Sequence, residues 1–295
     1  MTDPDSARRV PSNWGRWGDG DELGTLNLIT DEARARAVAQ ARTGRSVSLA
    51  MPVDPASMLT GPFAAPAPPS PPVQQAMLHT GSPPMAMAEV LVLAPHHAGL
   101  THLDAVVHVP VDGKVYPGRP LAEAAPPGGV RHGSTAAFAD GLVTRGVLLD
   151  LAPGTRLPQA HAVTGADLDA AEERSGVRLE PGDALVVRGG WSAARDLGTP
   201  MPGMTVDAVA WMHRRDVAVY AGDIGDAHPP VDPRVAMPLH EVGLARLGMP
   251  LIDVAEVDEL ATTCAEVDRY AFLLSIAPPR LRGATGVPVN PLAIF

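Results

Sequence analysis

Short apolar runs alternate along this chain with stretches whose apolar residues recur at helical spacing, a pattern that predicts an α/β or α+β domain rather than an all-β sandwich. Residues 89–93, 141–151, 184–188, 217–221, 251–254 and 270–277 read as strands. The three from 184 to 254 are short, continuously apolar runs of the kind buried inside a sheet. Helices are expected at 31–43, where Thr30 caps the start and Gly44 ends it, and after Thr164. There Asp167 stands at capping-box spacing and Gly176 provides a stop. A third helix is expected at 238–247, with proline in its first turn and Gly248 at its C-terminus. Residues 61–84 are too rich in proline for a helix or a central strand, and predict a surface loop or a flap over an active site. No internal repeat or interdomain linker is visible. The chain therefore reads as one domain over 1–295, with an N-terminal arm at 1–30.

Composition narrows the function. The 295 residues suffice for a sizeable core, and with only 4% aromatic residues, Ala, Val and Leu must fill it. A net charge of −10 argues against nucleic acid, and no Lys/Arg cluster is present to read anionic lipid. The first ten residues are polar, and nothing approaches the roughly 18 consecutive apolar residues that span a bilayer. A cytoplasmic protein without a membrane partner is expected. Cys264 is the single cysteine, which rules out an internal disulfide framework and a cysteine-based zinc site, and it reads as a buried small hydrophobe.

The candidate chemistry lies in the histidines. Four of the ten, His96, His97, His102 and His108, fall within 13 residues directly after the 89–93 strand. Side chains at i and i+2 of an extended segment share a face, so His102 and Asp104 can reach one cation. Imidazole with carboxylate suits zinc, manganese or iron rather than calcium. His108 is placed to move a proton. Further ligands are needed; His240 in the 238 helix and Asp253 near the end of the 251 strand are candidates. Asp223 and Asp226 follow another strand end and are either turn formers or pocket residues, Asp223 being the candidate for substrate contact. Trp14 and Trp17 indicate that the arm is packed down, with Trp17 a candidate for the pocket.

At this point the residues resemble a known family. Thr101-His-Leu-Asp-Ala-Val-Val-His108 is similar to the T-H-x-D-x-x-x-H signature of the cyclase family, which includes kynurenine formamidases and isatin hydrolases. The segments at 13–30, 112–116, 145–150, 181–188 and 283–291 also look like the longer, isatin-hydrolase-like branch. The resemblance implies a cyclase/kynurenine-formamidase-like α/β domain with a mixed, barrel-like β-sheet core flanked by helices. It implies a metal-dependent hydrolase of a small molecule's amide, lactam or related acyl bond, using one or two divalent ions (Mn, Zn or Fe). His102 and Asp104 would be ligands, His108 the acid/base, and His240 with Asp253 the completion of the site. It also implies a homodimer or higher homo-oligomer. Ala98 stands where short-chain formamidases carry a further ligand His, and a ligand from His96 or His97 in its place would need a bulge or an altered path. Asp253 stands where they have Glu, and Val106 replaces a common proline. The rival expectations are a biosynthetic cyclase or dehydratase on the same fold, and a metal-free binding protein.

Overall fold

The computed structural model describes residues 10–57, 71–83, 85–192 and 198–295. Its spine is a curled, nine-stranded mixed sheet, a half-barrel flanked by helices. In chain order its strands are β1 Ser46–Ser48, β2 His102–Asp104, β3 Leu142–Asp150, β4 Ala184–Arg188, β5 Val219–Gly222, β6 Leu251–Asp253, β7 Ala271–Ile276, β8 Gly286–Pro288 and β9 Leu292–Ile294. They lie side by side in the order β1-β9-β7-β3-β4-β5-β6-β2-β8. β3 to β6 are parallel, and every other pairing in the sheet is antiparallel. β4 and β5 are completely apolar or Gly before Arg188 and almost fully buried, as expected for parallel strands covered on both faces.

Helices α1 Asp31–Val38, α2 Gly165–Ser175, α3 Val206–Arg214 and α4 Asp258–Val267 cover the sheet. Thr30 caps α1 as expected, accepting from Ala33 N. The helix stops at Val38, short of residue 43, because Thr43 and Gly44 donate both their amides to the terminal Phe295 carbonyl, each at 2.8 Å. The Thr164–Asp167 capping box forms, and Gly176 closes α2 in the left-handed conformation. The segment expected as a helix at 238–247 is a π-helix, Pro238–Leu244, whose wide turn is seen in Ala245 N donating to His240 O at 3.0 Å. Such turns gather at functional sites. α3, capped by Thr205, is the helix the periodicity left unread.

Within the proline-rich segment, the described part is strand rather than loop. Residues Val73–Thr80 and Ala86–Leu93 form an antiparallel hairpin, and the described prolines Pro71, Pro72 and Pro83 stand at its entry and its turn, where no ladder hydrogen bond is lost. The 61–70 part of the expected loop or flap lies outside the described residues. The arm from residue 10 packs on its own chain: Trp14 Nε1 donates to Ala245 O at 2.9 Å, and Thr25 Oγ1 to Ala218 O at 2.7 Å. Among the described residues, no helix is long and apolar enough to cross a membrane.

Candidate metal centre

The parallel strands end at one rim of the sheet, the usual place for a site in such folds. β6 delivers Asp253 there. Its antiparallel neighbour β2 enters at the same rim, so that Asp253 pairs directly with His102. On β2, His102 and Asp104 share a face two residues apart, and both are buried. Asp104 sits opposite Gly286 of β8, where the absence of a Cβ lets the His96 ring lie over the strand; a Cβ there would overlap that ring.

Around Asp104 the nitrogens converge. His96 Nδ1 lies 2.8 Å and His102 Nε2 3.5 Å from Asp104 Oδ1, while His240 Nε2 lies 3.5 Å from Oδ2. His240 Nε2 is also 3.4 Å from Asp253 Oδ2. The His108 ring stacks on His96 at a centroid distance of 3.6 Å. His96, His102 and Asp104 form one group able to hold an ion, and Asp104, His108 and His240 a second. Asp104 belongs to both.

The other ring nitrogens explain these orientations. His102 Nδ1 donates to the Leu100 carbonyl at 2.7 Å, leaving Nε2 with its lone pair toward Asp104. His240 Nδ1 donates to Asp226 Oδ2 at 2.6 Å, and Asp226 Oδ1 accepts from Leu239 N at 2.7 Å. His96 Nε2 contacts Thr285 Oγ1 at 3.0 Å. Each imidazole is thus held by a partner on its far side, the arrangement that fixes tautomer and aim in metal sites.

Two observations make this donor set fit a divalent cation. Asp104 Oδ1 and Oδ2 and His96 Nδ1 are buried without a hydrogen bond, because their close approach lacks hydrogen-bond geometry. Buried polar atoms are otherwise almost always satisfied. Second, Asp104, Asp226 and Asp253 crowd one pocket, and carboxylates out of water need a compensating charge. Burial alone would raise Asp104, but His240 and His96 hold its carboxyl well below the usual range. Burial pulls His108 down to about 4, so it is a neutral imidazole at physiological pH despite the nearby Asp104. For His240, burial works downward, yet the contacts with Asp104, Asp226 and Asp253 raise it well above an ordinary histidine.

Of the residues named from sequence, the fold brings together His96, His102, Asp104, His108, His240 and Asp253. It does not bring His97: its Nδ1 turns back to accept from Gly99 N at 2.9 Å, so of the two adjacent histidines only His96 reaches the cluster. Trp17 is also elsewhere, partly buried in the arm beneath the Arg16 guanidinium, 4.6 Å from its ring centre. Asp223 borders the pocket, but its carboxylate clasps the backbone, accepting from Gly189 N at 2.6 Å and Trp191 N at 2.7 Å. Asp226, read from sequence as a turn former or a pocket residue, is a pocket residue and the partner of His240, whereas Thr285 and His228 were not singled out. Thr285 lies in the 283–291 segment that carries the family resemblance, but nothing in its local spacing marks it as the partner of His96.

The histidines open into a cavity of about 260 Å³, which Met201, Ile224, His228 and Met237 also line. A larger cavity, about 330 Å³, lies between α2 and α4 but contains no histidine. Its Arg188 is committed to Asp258 at 2.6 Å and Asp150 at 3.2 Å.

The chain matches the family model described as putative cyclase over residues 47–227. Among solved structures, it resembles a novel cyclase with 30% identity and a TM-score of 0.82, covering 96% of this chain and 97% of that one. Isatin hydrolase A from Labrenzia aggregata, bound to benzyl benzoate, aligns at 18% identity and TM-score 0.61, over 91% and 98% of the two chains. Isatin hydrolase A from Ralstonia solanacearum aligns at 22% and 0.60, over 89% and 95%. At these identities the last two speak for the fold alone. Comparison with curated proteins gives no match.

Proposed function

The chain belongs to the cyclase family, and we propose that it is a metal-dependent hydrolase cleaving an amide, lactam or related acyl bond of a small molecule. The observation that carries this is Asp104, whose two buried oxygens face two groups of histidines without a hydrogen bond to either. His96, His102 and Asp104 would hold one divalent ion, manganese, zinc or iron, and His240 with Asp253 would complete the site or hold a second. An ion bound there supplies Lewis acidity toward a carbonyl and acidifies a water. Neutral His108 takes a proton at its free nitrogen and returns it to the leaving nitrogen or oxygen. Asp226, Leu100 O and Thr285 keep the imidazoles aimed, and the buried surroundings strengthen every charge interaction.

The same proposal extends to assembly as a homodimer or higher homo-oligomer. The 73–93 hairpin supports it: Val90, Leu91, Val92 and Leu93 are each more than 40% exposed, an apolar surface that a partner chain would cover. Light scattering on the purified protein reads this directly.

Elemental analysis of wild type against His102→Ala, together with hydrolysis of N-formyl, amide and lactam compounds, tests the reaction. One or two equivalents of metal, lost in the variant, with chelator-sensitive hydrolysis, are expected. A protein that binds no metal after reconstitution would refute the proposal.

A further inference from the structure

His108 moves the proton in the reaction proposed above, and the inference that follows rests on that reading. His108 lies on no helix or strand. It closes a turn of residues 105–108, in which its own amide donates to Ala105 O at 2.9 Å. The aim of a side chain on a turn depends on what fixes the backbone around it. Ala105 N donates to Thr285 O at 2.9 Å, which ties the start of the turn to the residue before β8. Next to His108, Val107 N donates to Gly133 O at 3.2 Å. Gly133 has φ +73°, and a Cβ on it would stand 3.0 Å from Val106 Cγ2, so this loop lies directly against the turn. The loop in turn hangs on the N-terminal arm, because Gly133 N donates to Glu22 Oε2 at 2.7 Å.

The arm around Glu22 is itself pinned. Asp21 accepts from Tyr116 Oη and Gly24 N, each at 2.8 Å, and from Asn27 Nδ2 at 2.9 Å. His132 does not draw the Glu22 carboxylate away: its Nδ1 lies 3.8 Å from Oε1, and burial keeps its pKa below that of an ordinary histidine. A carboxylate accepting a backbone amide makes a stronger bond than a neutral oxygen would. We propose that Glu22 is a positioning residue for the hydrolytic reaction: through Gly133 and Val107 it sets the backbone on which His108 stands. Without it the loop and the turn relax together, and a displacement of about 1 Å costs up to about 100-fold in rate.

Three variants of the metal-loaded protein separate reach from charge. Glu22→Gln keeps an acceptor oxygen at the same reach, Glu22→Asp keeps the charge on a side chain one methylene shorter, and Glu22→Ala removes both. The Ala and Asp variants are expected to lower kcat by about 10–100-fold with KM and metal content unchanged, and the Gln variant to restore most of the rate. Backbone amide exchange at Gly133 and Val107 is expected to quicken in the Ala and Asp variants and to stay slow in the Gln variant. A Gln variant as slow as Ala, an Asp variant as fast as wild type, wild-type kcat throughout, loss of metal, or an effect confined to KM overturns the proposal. Should Glu22→Ala fail to fold, the Gln and Asp variants decide between the same outcomes. If the wild type hydrolyses no compound tested, the hydrolase reading fails separately and amide exchange decides the positioning. Faster exchange at Val107 in Glu22→Asp then supports it, and unchanged exchange overturns it.

Discussion

Asp226→Asn replaces one oxygen by an amide nitrogen in a side chain that touches no proposed ligand atom. In the wild type, Oδ2 accepts the Nδ1 proton of His240 at 2.6 Å while Oδ1 accepts from Leu239 N at 2.7 Å. The asparagine carbonyl can keep the Leu239 bond. Its amide then presents hydrogens to His240 Nδ1, which favours the tautomer with the proton on Nε2, the nitrogen aimed at Asp104 and Asp253. That proton occupies the lone pair a cation would use. Loss of such an outer partner costs about 10–100-fold in metal affinity, or roughly 1.4–2.7 kcal/mol at about 1.4 kcal/mol per tenfold. Titration of apo protein with Zn²⁺ or Mn²⁺ against a competing chelator measures it. The fold should hold, because the asparagine keeps the Leu239 bond and His240 retains Asp104 and Asp253 beside its Nε2. Unchanged affinity in Asp226→Asn, or a fall in apo stability with affinity retained, would refute the argument and make Asp226 a purely structural anchor for the π-helix.

Further variants separate the other roles. His108→Ala should lower kcat by about 10²–10⁴-fold while metal content is retained; loss of an equivalent of metal would instead make His108 a ligand beside Asp104 and His240. Gly286→Ala should push the His96 ring off Asp104 and weaken metal binding in the same chelator titration, and unchanged affinity would show that His96 is dispensable. Thr164→Ala, far from the site, removes one half of the α2 capping box and should cost about 1 kcal/mol in denaturant unfolding with kcat/KM unchanged.

Local chemistry was legible before the fold. Thr30 and Thr164 act as caps because capping depends on residues within one turn of each other, and β4 appears at the residues its apolar run marks. The pairing of His102 with Asp104 follows from strand geometry alone. What reads least well from sequence depends on partners distant in the chain. α1 ends early because Phe295 takes its following amides, and the hairpin at 73–93 exists through cross-strand pairing that proline content obscured.

The site divides along the same line. Sequence by itself determined the candidate ligand types, the His102–Asp104 face and the family, since these rest on residue identity and short-range spacing. Only tertiary structure decided that His96 rather than His97 reaches Asp104, because that choice turns on the path of a loop and on the missing Cβ of Gly286, some 190 residues away, with Thr285 beside it at a separation of 189. It likewise decided that Asp226 serves His240 while Asp223 serves the backbone. Two aspartates three residues apart look alike in sequence; the strand end they share turns one toward the π-helix and the other toward the neighbouring strand, and that divergence is a property of the packed sheet.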